Sequence, residues 1–218
     1  MAIVEFPPVD GADEYGLLAV GGDVEVSSLL LAYRSGIFPW PLTPSGLLAW
    51  FAPPERAILR LEKFHIPRSL KKKSRNNLFR FAIDTAFDEV IAGCAEGRER
   101  KKKGTWMTAD IIRGYSGLHK AGYAHSVECF HGPTLAGGLY GVSLGKMFAA
   151  ESMFFTEDDA SKLCLCYLVQ FLAIRGVTWV DCQQLTPLLE RFGVVEIPRS
   201  EYMSLLQNAL AGDSVAWK

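Results

Sequence analysis

Residues 124–155 hold three apolar segments in close succession: Ala124 to Phe130, Thr134 to Ser143 and Lys146 to Phe155. Only the turns His131-Gly132-Pro133 and Gly145 separate them. Connections this short cannot carry a parallel crossover, so the chain must fold back on itself as a three-stranded antiparallel meander. A long helix, Asp159 to about Arg175, follows and is stopped by Gly176; a further strand spans Val177 to Cys182. A meander continued through a helical crossover predicts a mixed sheet flanked by helices, so the fold class is α+β.

Other elements follow from caps and breakers. A basic helix starts after Pro67, a strand runs from Phe79 to Ile83, and Asp84 or Thr85 is expected to cap a helix ending at Glu96. Thr108 is expected to cap a helix to about Lys120. A short helix near Pro187 to Arg191, a strand from Val194 to Ile197 and a helix from Ser200 complete the chain. The first part reads differently, as a turn-rich unit with one helix, Ser27 to Ser35, capped by Ser27 or Ser28. Phe38-Pro39-Trp40-Pro41, Trp50-Phe51 and Pro53-Pro54 suggest a rigid irregular segment around it. The expected division is a small N-terminal α/β domain, residues 1–58, and a main domain, residues 59–218.

Within the apolar strand Thr178-Trp179-Val180-Asp181-Cys182-Gln183 stand an acid and an amide two residues apart. Strand alternation predicts that Asp181 and Gln183 share a face and that Cys182 points away. Glu151 similarly interrupts the apolar run Met147 to Phe155. Carboxylates in apolar surroundings resist ionisation unless compensated, which suits a site that handles a proton or an amine.

Several classes are disfavoured. No apolar run is long enough to span a membrane, and the N-terminus lacks the basic start and apolar core of a signal peptide, so a cytoplasmic location is expected. Five cysteines show no C-x-x-C spacing and read as reduced packing residues; four histidines show no ligand spacing, so no metal is expected. Gly137 to Lys146 does not fit phosphate-loop spacing, because Tyr140 and Met147 stand where Gly and Ser or Thr are needed. His125 and Ser126 are adjacent on one strand and point apart, which argues against a hydrolytic triad with Asp181.

The net charge of −1 hides a basic stretch: residues 56–103 hold fourteen Lys/Arg against six Asp/Glu. Its two clusters are Arg68, Lys71, Lys72, Lys73, Arg75 and Arg98, Arg100, Lys101, Lys102, Lys103, a candidate polyanion surface. Trp106 beside the second cluster suits stacking of an unpaired base.

In chain order these elements resemble one family, the bacterial leucyl/phenylalanyl-tRNA–protein transferases. The matching motifs include Gly16-Leu17-Leu18-Ala19-Val20-Gly21-Gly22-Asp23, Tyr33-Arg34-Ser35-Gly36-Ile37-Phe38-Pro39-Trp40 and Gly104-Thr105-Trp106-Met107-Thr108. Gly137-Gly138-Leu139-Tyr140-Gly141-Val142, Glu151-Ser152-Met153-Phe154 and Asp181-Cys182-Gln183 continue the register over nearly the whole chain. The resemblance implies an acetyltransferase-like (GNAT-type) main domain. It also implies transfer of Leu, Phe or Met from aminoacyl-tRNA to proteins beginning with Lys or Arg, marking them for N-degron degradation. No cofactor or metal is implied, since the ester is already activated, and a monomer is expected.

By the same resemblance, Asp181 and Gln183 orient and deprotonate the attacking amine, and Glu151 partners amino groups near the reacting ends. Leu139, Phe148 and Met153 line the side-chain pocket, Trp40 and Trp106 flank the aminoacyl-adenosine end, and the basic clusters meet tRNA phosphates. Two alternatives stay open here: an acetyl-CoA-dependent acyltransferase on the same fold, and a non-catalytic RNA-binding module. The first lacks its pyrophosphate loop before the Asp159 helix; the second leaves the three polar residues without a role.

Overall fold

A computed structural model describes residues 2–41, 47–74, 78–96 and 107–217. Its N-terminal part is a small antiparallel sheet of β1 (Leu17–Val20), β2 (Phe38–Pro41) and β3 (Leu48–Phe51), in the order β1-β3-β2, with helix α1 (Val26–Arg34). The proline-rich segment is therefore a strand rather than irregular, and it lies at an edge, where missing N–H donors are tolerated. Neither Ser27 nor Ser28 caps α1, whose N-cap is Glu25. Ser28 Oγ donates instead to Asp23 Oδ1 at 2.6 Å and accepts the N–H of Ile3 at 2.8 Å.

The larger sheet opens with β4 (Glu55–Arg60), a strand not anticipated from the sequence. Helix α2 (Arg68–Ser74), β5 (Arg80–Ile83), α3 (Phe87–Glu96) and α4 (Ala109–Lys120) follow. The meander comprises β6 (Ala124–His131), β7 (Thr134–Leu144) and β8 (Met147–Phe155). Next come α5 (Ala160–Ala173), β9 (Trp179–Gln183), α6 (Pro187–Glu190), β10 (Val195–Pro198) and α7 (Arg199–Leu210). Among the described residues the strand order is β10-β4-β9-β8-β7-β6-β5, antiparallel except for β8 against β9, which meet at Ala149 and Asp181. The mixed sheet flanked by helices is as expected. Residue 58, where the division was placed, falls inside β4.

Local chemistry explains most boundaries. Thr108 Oγ1 accepts the N–H of Ile111 and caps α4 as expected. Asp84 does not cap α3; it sits in left-handed backbone and accepts from the N–H of Ser126. Thr85 donates to Glu128 instead. The glycines of β7 serve packing: a Cβ on Gly141 would stand 2.2 Å from the Ala149 carbonyl oxygen and 2.5 Å from the Phe148 ring.

Ile58 and Leu59, neighbours on β4, belong to two different apolar clusters, so the sheet separates two cores. One is filled from α1, α3, α4 and α7, the other chiefly from α5. All five cysteines are free and buried. Among the described residues no helix is long and apolar enough to cross a membrane, and no three metal-ligating side chains converge.

Candidate active site

Two breaks in strand register build the site. Across β7 and β8, Tyr140 opposes Ser152 while Gly141 opposes Ala150, so Glu151 is the surplus residue of a bulge. Across β4 and β9, Ala57 opposes Gln183 while Ile58 opposes Asp181, which leaves Cys182 over. Bulges re-aim the side chains around them. Gln183 closes the second one in left-handed backbone, at φ 55°.

The second bulge overturns the expectation that Asp181 and Gln183 share a face. Gln183 turns to Glu151, its Nε2 donating to Oε1 at 2.8 Å. Asp181 is wholly buried and its carboxylate is filled by donors. Arg56 Nε and Nη2 reach Oδ1 and Oδ2 at 2.8 and 2.7 Å, Tyr202 Oη reaches Oδ2 at 2.9 Å, and the Gln183 backbone N–H reaches Oδ1 at 3.0 Å. Cys182, expected to point away from Gln183, lines the same cavity as Gln183.

That cavity, of about 340 Å³, is walled by apolar side chains including Leu139, Met153, Leu165 and Leu188, with Trp40 at 37% exposure. Leu139 and Met153 face each other across β7 and β8. Its polar members are Glu151, Ser152, Gln183, Gln184 and Thr186. Phe148, expected in the pocket, is fully buried and does not line it; its ring lies 5.4 Å from that of Trp217 in the second core. It stands on the far side of the Glu151 bulge from Met153, on the stretch of β8 that pairs with Ser143.

The electrostatics single out Glu151. Burial pushes its carboxyl up to about 7; hydrogen bonds from Tyr33 and Tyr115 oppose the rise, and the Asp181 charge adds to it. Tyr115 Oη donates to Glu151 Oε2 at 2.9 Å, and the Tyr33 and Tyr115 hydroxyls are 2.6 Å apart. Burial holds both phenols well above their usual range, so they stay protonated donors. Burial likewise raises the Cys182 thiol, which removes it as a nucleophile at neutral pH. His125 Nδ1 pairs with Asp84 at 2.7 Å, not with Asp181.

Arg68, Lys71, Lys72 and Lys73 are exposed on α2. Lys73 bonds Asp159 Oδ2 at 2.6 Å. Arg75, Arg98, Arg100, Lys101 and Trp106 lie outside the described residues. Sequence reasoning missed Arg56, Tyr33, Tyr115 and Tyr202. Arg56 left a usable signal: a buried acid in one strand asks for a cation in a neighbouring one.

A family model described as leucyl/phenylalanyl-tRNA protein transferase matches residues 58–207, and one for the N-terminal domain of that protein matches 22–54. The chain belongs to the leucyl/phenylalanyl-tRNA–protein transferase family. Relatives of that name include one from Syntrophotalea carbinolica, 47% identical over 94% of this chain and 88% of the relative. Others come from Maridesulfovibrio salexigens, 48% identical over 94% and 85%, and Methylococcus capsulatus, 46% identical over 98% and 92%. Among solved structures, L-PGS from Bacillus licheniformis superposes with a TM-score of 0.45 and 12% identity, over 86% of this chain and 71% of that one, a likeness too loose to bear on function. As a leucyl/phenylalanyl-tRNA–protein transferase, this chain is an aminoacyltransferase.

Proposed function

We propose that the apolar cavity seats the leucyl, phenylalanyl or methionyl side chain of an aminoacyl-tRNA, and that Glu151 receives the proton of the attacking amine. The acceptor is a protein beginning with Lys or Arg, and its product enters N-degron degradation in the cytoplasm. The single observation behind this reading is the Glu151–Gln183 pair at the wall of a largely apolar cavity of about 340 Å³. Such a cavity takes a Leu, Phe or Met side chain, and its largely apolar walls disfavour burial of a charged one.

The chemistry balances without a cofactor. The acceptor's α-amino nitrogen attacks the ester carbonyl carbon and forms the amide bond. The bond from that carbon to the ribose oxygen breaks, the nitrogen gives up a proton, and the ribose oxygen takes one. A carboxylate held near pH 7 suits the receiving step. Gln183 cannot act as a base; its amide carbonyl, left over when Nε2 donates to Glu151, is an acceptor for an amine. Asp181, saturated by donors, orients Gln183 rather than removing protons. This assigns proton transfer to Glu151 instead of Asp181, on an acetyltransferase-like main domain. The protein is proposed to act as a monomer.

Purified protein mixed with leucyl-tRNA and a peptide beginning with Arg is expected to add one leucine to the peptide, read by mass. An N-acetylated peptide stays unchanged. No mass gain with the free peptide refutes the reading, and acetyl transfer from acetyl-CoA would favour the acyltransferase alternative.

Lys71 and Lys72 lie on the basic face of α2 and are proposed to meet tRNA phosphates along with Arg68, Arg75, Arg98, Arg100 and Lys101; Trp106 and Trp40 flank the terminal adenosine. Neutralising Lys71 and Lys72 together is expected to weaken tRNA binding and flatten its dependence on log salt by about one unit per lysine. Lys73→Gln should change that slope less, because Asp159 already holds the ammonium. Equal slopes for both variants and the parent protein would remove α2 from the interface.

A further inference from the structure

Arg56 is the largest charged side chain in the interior, 2% exposed, and the transfer chemistry above gives it no direct task. Its surroundings are elaborate. The guanidinium lies between the rings of Phe38 and Tyr202, 4.6 and 4.5 Å from their centroids. Nε and Nη2 form a two-pronged contact with Asp181, Nη1 donates to the Gly36 carbonyl at 3.2 Å, and Nη2 also approaches Tyr202 Oη at 3.3 Å. The segment before β2, strands β4 and β9, and helix α7 therefore converge on one side chain. Burial weakens this cation, and the Asp181 charge more than restores it.

Asp181 Oδ1, gripped by Arg56 Nε, also accepts the backbone N–H of Gln183. That second bond closes the bulge at Cys182 and sustains the left-handed turn at Gln183, a conformation costly for a residue with a side chain. The turn sets the direction of the Gln183 amide toward Glu151. We propose that Arg56 is a positioning residue of the transfer reaction, acting through Asp181 to hold the Gln183 backbone turn and thereby the Gln183–Glu151 contact. The proposal rests on the reading of Glu151 and Gln183 as the polar pair of the reaction.

Lysine keeps the charge but has no planar fork, so it cannot grip both oxygens while holding Nε in place. Arg56→Lys is expected to lower kcat by about tenfold to a hundredfold, with KM for leucyl-tRNA within about twofold of the parent value. The acid limb of its pH profile should stay put, because the groups facing Glu151 (Tyr33, Tyr115, Gln183, Asp181 and the cation at position 56) keep their charges. Asp181→Asn should instead move the acid limb to lower pH, since the Asp181 charge raises the Glu151 carboxyl and the neighbouring cation lowers it. Because both act through one link, the double variant Arg56→Lys/Asp181→Asn should lose no more kcat than the worse single one.

Parent-level kcat in Arg56→Lys overturns the proposal, as does a double variant whose loss equals the product of the two single losses. Should Arg56→Lys fail to fold, Arg56→Met/Asp181→Asn removes both charges and keeps the bulk; reduced kcat at unchanged KM supports the proposal, and parent-level kcat overturns it. Undiminished transfer by Glu151→Gln would sink the underlying reading, a result separate from either outcome at Arg56.

Discussion

Glu151→Gln is expected to cut leucine transfer by at least about a hundredfold while making the protein more stable above pH 7. Both effects come from one carboxyl. Transfer needs a group that accepts a proton near neutrality, and the parent acid limb should fall near pH 7, where burial places Glu151. The stability effect has a definite sign. A carboxyl raised by folding binds more protons in the native state, so its contribution is fully present below its unfolded pKa and is lost as pH rises through about 7. Glutamine carries no charge to desolvate, so its advantage should be absent at pH 4 and reach about 1 kcal/mol by pH 8, after discounting for partial exposure to the cavity. Urea unfolding of both proteins at the two pH values checks this. A variant advantage that does not change with pH would show that Glu151 is not held ionisable near neutrality.

Asp181→Ala is expected to lose about 3 to 5 kcal/mol of folding stability, because it leaves Arg56 buried without its partner. The Tyr202 hydroxyl and the Gln183 N–H lose an acceptor at the same time. Loss of transfer in this variant would therefore report an unsettled fold as much as lost chemistry. Adding Arg56→Met to Asp181→Ala should recover much of the stability, since removing both charges is far less costly than orphaning one. Denaturant midpoints for the single and double variants decide the matter. An Asp181→Ala protein within about 1 kcal/mol of its parent would contradict the buried-pair account.

How much of this was legible beforehand depended on how local each signal was. The β6–β8 meander was readable because the turns at Gly132-Pro133 and Gly145 are too short to allow anything else. Thr108 and Gly176 marked helix ends by chemistry that needs no distant partner. Strand β4 was not readable, since Glu55, Arg56 and Arg60 break its apolar pattern, and only the tertiary fold supplies the partner that makes Arg56 welcome inside. The shared face predicted for Asp181 and Gln183 failed because alternation assumes regular pairing, and a register shift against β4 is invisible from within β9. Phe148 was assigned to the pocket by family resemblance rather than by alternation; it shares the second core with Leu139 and Met153 but does not line the cavity. The identities of the polar residues were legible; their directions were not.

The N-terminal segment bears on inheritance. Tyr33 meets the Tyr115 hydroxyl, the Gly36 carbonyl and Phe38 hold Arg56, and Trp40 walls the cavity. A lineage that exchanged those first fifty-odd residues for another module would keep its large sheet but lose the clasp on its own chemistry. The two segments must therefore pass together through duplication and recombination, as one heritable unit.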